Sequence, residues 1–210
     1  MTTRLAIFDL DGTLVDSLDD LTTSVNHALR LAGLPLRGRD EVRTFVGDGA
    51  RPLIVRSVGN HLDRVEEVLA IWRPYYEAHL LDQTRPYPGI VEVLSLARRP
   101  LAVQTNKPAS MARRILEGLG LLPRFALVLG GGEAPPKPDP GGVRNILERL
   151  GARAEDTVLV GDTAVDFATA RNGGVTFVGV TWGIVAREVL VQAGAVHLVD
   201  RPEDLAAFLA

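Results

Sequence analysis

Two acids stand two residues apart in the run Asp9-Leu10-Asp11-Gly12-Thr13-Leu14. Close carboxylates repel one another, and their pKa values tend to split. One can stay ionised and act as a nucleophile while the other carries a proton. Gly12 permits a tight turn and bares backbone N–H groups to an anion. Three more segments have side chains of the same kind of use. In Thr105-Asn106-Lys107 the hydroxyl and neighbouring N–H groups can bind phosphoryl oxygens, or the threonine can cap a helix before Pro108. In Pro136-Lys137-Pro138-Asp139-Pro140 prolines fix the backbone around a single lysine, which suits either an ammonium held against anionic oxygens or a rigid surface loop. In Gly161-Asp162-Thr163-Ala164-Val165-Asp166 two acids four residues apart can share one side of a starting helix, although one of them could be its cap.

Together these groups suit phosphoryl transfer, which needs in-line placement and charge neutralisation more than unusual side chains. Magnesium is a hard ion that takes oxygen ligands, few carboxylates and the substrate phosphate. Asp9, Asp162 and a backbone oxygen near Asp11 would provide that set, with Thr105, Asn106, Lys137 and the Gly12 turn on the phosphate. The basic residues sharpen the point. Of 23 lysines and arginines only Lys107 and Lys137 are lysine, and both lie in these segments. Lysine at these two places points to a need for a compact ammonium, with chance placement as the alternative.

The elements that would position these groups are legible in the apolar pattern. Short apolar runs at Arg4 to Asp9, Leu101 to Thr105, Ala126 to Leu129, Thr157 to Val160, Val175 to Val180 and Val196 to Val199 read as buried strands. Helical spacing fills Gly89 to Arg98, Ala109 to Leu119, Gly142 to Leu150 and Ala164 to Asn172. Alternation of this kind predicts an α/β fold, a doubly wound and mostly parallel sheet. Ligands of such sheets bind beyond the carboxyl ends of the strands, where Asp9, Thr105 and Asp162 fall.

The stretch from Asp16 to Pro86 breaks the alternation. It shows helical pieces at Val42 to Val46, Ala50 to Val58 and Leu62 to His79, and no strand-like run. Its first helix is expected to be capped by Ser17, with Asp20 three residues on, and stopped by Gly33. The reading is a core domain of residues 1–15 and 87–210 with a small all-helical cap, 16–86, between linkers near Leu14 to Ser17 and Arg85 to Gly89.

In this order and spacing, DLDGTLVDS, TNK, the lysine of PPKPDP and GDTAVD resemble the four motifs of the haloacid dehalogenase superfamily. The resemblance covers nearly the whole chain and is similar to its phosphoglycolate phosphatase-like branch. It implies Asp9 as nucleophile and Asp11 as general acid, then base. It implies Thr105 and Lys137 as stabilisers of phosphate and nucleophile, Asp162 as metal ligand and Asp166 as a supporting acid. Magnesium would be held by Asp9, the Asp11 carbonyl and Asp162. The cap segment Phe45 to Arg51 resembles, more loosely, a substrate-specificity loop, from which Arg51 could reach a substrate carboxylate or simply face solvent.

The expected activity is magnesium-dependent hydrolysis of a small phosphorylated metabolite through an aspartyl phosphate. A sugar-phosphate mutase, a pyrophosphatase or a nucleotidase shares the same motifs, and a non-catalytic receiver phosphorylated on aspartate is the rival of another class. Asp11 argues against a dehalogenase. The lack of any lysine in the insert argues against a phosphonate hydrolase that uses a cap Schiff base. A net charge of -3 offers no basic face for nucleic acid. The absence of cysteine excludes thiol catalysis, and no apolar run would span a membrane. A cytoplasmic monomer or homodimer is the expectation.

Overall fold

The computed structural model describes residues 4–209. At its centre lies β1 (Leu5–Phe8), flanked by β4 (Leu101–Pro108) and β6 (Thr157–Gly161). With β5 (Leu127–Gly131), β7 (Thr176–Val180) and β8 (His197–Val199) they form one sheet of order β5-β4-β1-β6-β7-β8. Every neighbouring pair in it is parallel.

Register explains why these runs are apolar throughout. Leu127, Ala102, Ile7, Leu159 and Phe177 stand side by side across the sheet and belong to one buried cluster, with Val143 and Ile146 of α7 (Gly141–Leu150), Ala170 of α8 (Ala164–Gly173) and Leu190 of α9 (Arg187–Ala193). One residue further along, Val128, Val103, Phe8, Val160 and Val178 face the other way. They pack with α5 (Ile90–Leu96), α6 (Ala109–Gly118) and α10 (Ala206–Leu209). Side chains alternate between faces along a strand, so a sheet covered on both sides needs apolar residues at both parities. The next position along β1 is Asp9, whose N–H donates to the Val160 carbonyl at 2.9 Å. The apolar rows therefore end where the acids begin.

The insert is helical, with α1 (Leu18–Leu31), α2 (Arg39–Arg43), α3 (Ala50–Val58) and α4 (Val65–Ala78). Three details differ from the sequence reading. The expected helix at Val42 to Val46 sits earlier, as α2. The piece at Leu62 to His79 starts with a 3₁₀ turn, Leu62–Arg64, before α4. Ser17 does not cap α1 through its side chain, because its hydroxyl is taken by Asp11, and Asp20 is turned to the far end of the insert. At the edges of the insert, where linkers and no strand were expected, β2 (Val15–Asp16) and β3 (Arg85–Pro86) pair antiparallel, so entry and exit are stitched together. Asp20, buried on α1, accepts the N–H groups of Gln83 and Thr84 and the Thr84 hydroxyl beside that ribbon. One apolar cluster runs from Phe8 through Leu14 and Leu21 to Trp72 and Tyr76, so the insert and the sheet share a continuous interior. Helix α9 and the short α10 were not legible as separate periodic runs.

Candidate active site

The carboxyl ends of β1, β4 and β6 and the loop before α7 meet at one point. Asp9, Thr105, Lys137, Asp162 and Asp166 are all buried there. Lys137 Nζ lies 2.6 Å from Asp166 Oδ1 and 2.8 Å from Asp9 Oδ1, the second contact off the direction of a hydrogen bond. Asp162 accepts the Thr13 hydroxyl at 2.9 Å and the Ile184 N–H at 2.7 Å. Carboxylate oxygens of Asp9, Asp162 and Asp166 lie within 4.8 Å of one another, with Asp9 far in sequence from the other two. Asp166 also completes a reciprocal cap at the start of α8. Its carboxylate accepts the Thr163 hydroxyl and N–H, while its own N–H donates to Thr163 Oγ1. The cap of this helix is thus Thr163, and Asp162 is left free for another purpose.

Glycine allows the approach. A Cβ on Gly12, at φ +86°, would stand 2.3 Å from Asp162 Oδ2, and one on Gly183 would stand 2.4 Å from the same oxygen. Asn106 ties the parts together. Its amide oxygen accepts the Lys137 N–H, and its NH₂ donates to the carbonyls of Lys137 and of Gly47 in the cap. Thr105 lies inside β4 rather than capping α6, and its hydroxyl accepts the Lys107 N–H at 3.2 Å.

The electrostatics are those of a site short of positive charge. Burial pushes the Asp9 carboxyl up to about 7; Lys137 opposes this, and Asp166 and Asp11 add to it. Burial, then Asp166 and Asp9, also hold Asp162 well above the usual carboxylate range, against the Ile184 and Thr13 hydrogen bonds. Burial would lower Lys137, but Asp166 and Asp9 outweigh it and keep it a firm cation. Three buried acids facing one ammonium fit an additional hard cation, and an all-oxygen donor set is what such an ion takes.

Asp11 lies to one side of this trio. Its carboxylate accepts the Ser17 hydroxyl at 2.5 Å and the Lys107 ammonium at 2.9 and 3.2 Å. Lys107 also donates to the Tyr76 hydroxyl of α4 at 2.6 Å, with Nζ 4.7 Å from the centre of the tyrosine ring. A cavity of about 40 Å³ opens here between Asp9, Asp11 and Thr105 on one side and Val46, Leu53 and Trp72 of the cap on the other. Arg51 does not line it. That side chain is 61% exposed and pairs with Glu66 on the cap surface. The sequence reading gave Tyr76, Thr13 and the Gly183-Ile184 turn no role in the site, and took Ser17 for a helix cap. For Lys107 the rarity of lysine was a usable signal. For Tyr76 there was none, since it occupies an apolar helix face as any core aromatic would.

Comparison with known proteins identifies the family. Residues 6–180 match the family described as haloacid dehalogenase-like hydrolase. The chain is 39% identical over 188 residues to the phosphoglycolate phosphatase of Agrobacterium fabrum, covering 85% of this chain and 81% of that one. It is 38% identical over 198 residues to the phosphoglycolate phosphatase of Neisseria meningitidis serogroup A, covering 90% and 84%. The crystal structure described as a predicted phosphoglycolate phosphatase from Haemophilus somnus 129pt superposes with a TM-score of 0.94 at 30% identity, over 100% of this chain and 99% of that one. The chain therefore belongs to the haloacid dehalogenase-like hydrolases, as an enzyme of the phosphatase kind.

Proposed function

We propose that this enzyme hydrolyses a small carboxylated phosphomonoester of the phosphoglycolate type, with magnesium, through a phosphoaspartate on Asp9. The observation that carries the reading is the convergence of Asp9, Asp162 and Asp166 on one buried point beside Lys137. The names of the relatives support the substrate type.

In this reading Asp9 attacks phosphorus, and the bond to the leaving oxygen breaks. Asp11 gives that oxygen its proton, then removes one from the water that releases phosphate from Asp9. Lys137 holds Asp9 aligned and offsets charge on the phosphoryl oxygens, while the Thr105 hydroxyl, Asn106 and the Gly12 turn receive them. Asp9, Asp162 and the Asp11 carbonyl would hold magnesium, which supplies positive charge to the phosphoryl group when bound. Asp166 keeps Lys137 in place. Residues 16–86 act as a cap that shields the reaction from water, and residues 1–15 and 87–210 act as the catalytic core.

The test is phosphate release from a panel of phosphorylated metabolites by the purified protein, with magnesium and with chelator. Turnover of 2-phosphoglycolate that stops with chelator and returns with magnesium is the expected result. Preference for a sugar phosphate, a nucleotide or pyrophosphate would replace the substrate assignment, and silence on every ester would remove the catalytic one.

A further inference from the structure

We infer that Lys107 is the residue that reads the substrate's carboxylate, an inference that rests on the reading above. The cavity between Asp9 and the cap is where the part of a substrate beyond its phosphoryl group must lie. Most of the cap side of that cavity is apolar, with Leu21, Val46, Leu53 and Trp72. Among the described residues that line it, Lys107 is the one cation. The other ammonium, Lys137, is engaged by Asp9 and Asp166, and Arg51 is turned outward to Glu66. A carboxylate brought into this space without a cation would be a buried unpaired charge, so it settles on Lys107.

Lys107 is built for the task. Its side chain is buried, and the Tyr76 hydroxyl and ring hold Nζ from the cap side. Its present ionic partner is Asp11. To serve the leaving oxygen, the Asp11 carboxylate has to turn away from Lys107. Without a replacement that movement strands a buried ammonium, and an incoming carboxylate is the replacement. Recognition of the tail is thereby coupled to release of Asp11, and preference appears in kcat as well as in KM. A neutral-tailed ester leaves Lys107 on Asp11 and turns over slowly.

The experiment is steady-state kinetics with magnesium on 2-phosphoglycolate, its neutral amide 2-phosphoglycolamide, and p-nitrophenyl phosphate. Wild-type enzyme is expected to favour the carboxylate over the amide by about 100-fold or more in kcat/KM, with part of the difference in kcat. Lys107→Met should erase most of that preference, and Arg51→Ala should keep it. A preference that survives in Lys107→Met, or one that vanishes in Arg51→Ala, overturns the inference. The amide comparison in wild-type enzyme needs no variant, and equal turnover of the two esters overturns it even where Lys107→Met fails to fold. Hydrolysis of p-nitrophenyl phosphate with no carboxylate preference removes only the role of Lys107. Failure of wild-type enzyme on all three esters removes the phosphatase reading together with it.

Discussion

At the scale of single residues, the acids at the strand ends bring a cost to the fold along with the chemistry proposed for them. Asp9 is held at about 7 by burial among like charges. Asp9→Asn is therefore expected to abolish turnover and, without metal, to melt at a higher temperature than wild type, because one of three crowded carboxyls is neutralised. Assay and thermal melt on the same preparation check both halves; a variant that still turns over removes Asp9 as nucleophile. Lys137→Ala is expected to lower kcat by about 10²–10³-fold, the scale of a lost preorganised electrostatic contact. A rate near wild type would dismiss Lys137 from the phosphoryl site. Asp9 and Asp162 were legible as candidates because a polar group straight after a buried strand has few structural reasons to be there, and Lys137 because prolines flank it. The Lys107–Tyr76 contact was not legible, since it joins a strand end to a helix 31 residues away that reads as core packing. Arg51 shows the converse: its type suited a carboxylate, but the backbone delivers it to Glu66.

At the scale of elements, turns and hinges decide whether those side chains meet. Gly12→Ala would force a Cβ into Asp162 at a positive φ. It should destabilise by about 1–3 kcal/mol and weaken magnesium activation, read from denaturant melts and from activity against metal concentration. Unchanged metal dependence would mean that Gly12 does not set the Asp162 position. Asp20 makes a similar point. As the third residue after Ser17 it looked like half of a capping box, yet its partners are Gln83 and Thr84. Local pattern gives a carboxylate near a helix start; only the closed ring of the insert gives its bonds. Asp20→Ala should cost about 3 kcal/mol, since it leaves buried donors unmatched, and a loss of a few tenths would contradict that role for the ribbon. The parallel sheet itself was readable because both of its faces are buried, and α9 was missed because only Leu190 among its residues is fully buried.

At the scale of the whole molecule, the buried acids tie stability to pH and to metal. A carboxyl with a raised pKa in the folded chain keeps a proton that the unfolded chain gives up. Its contribution to stability is present below the ordinary value of 3.8 and is lost as pH climbs towards about 7. Asp162 moves in the same direction, and Lys137 remains charged throughout this window. Metal-free protein should therefore lose Tm over that window, and added magnesium should raise Tm more at pH 7 than at about pH 5. Equal shifts at both values would show that the cation does not relieve this crowding. The cap is bound into the same economy of contacts. Arg43 of α2 donates to the carbonyls of Gly183 and Ile184, and the Ile184 N–H holds Asp162.

The chamber over Asp9 measures about 40 Å³, room for water-sized guests. A metabolite of a few carbons bound there would lie between the strand ends and the helices of residues 16–86. A phosphate on the flank of a protein or along a nucleic acid brings a chain that this space cannot enclose. Under the proposed function a phosphopeptide or a 5′-phosphorylated oligonucleotide is expected to release far less phosphate than a free small ester, and equal release would show that the helices over Asp9 do not select by size.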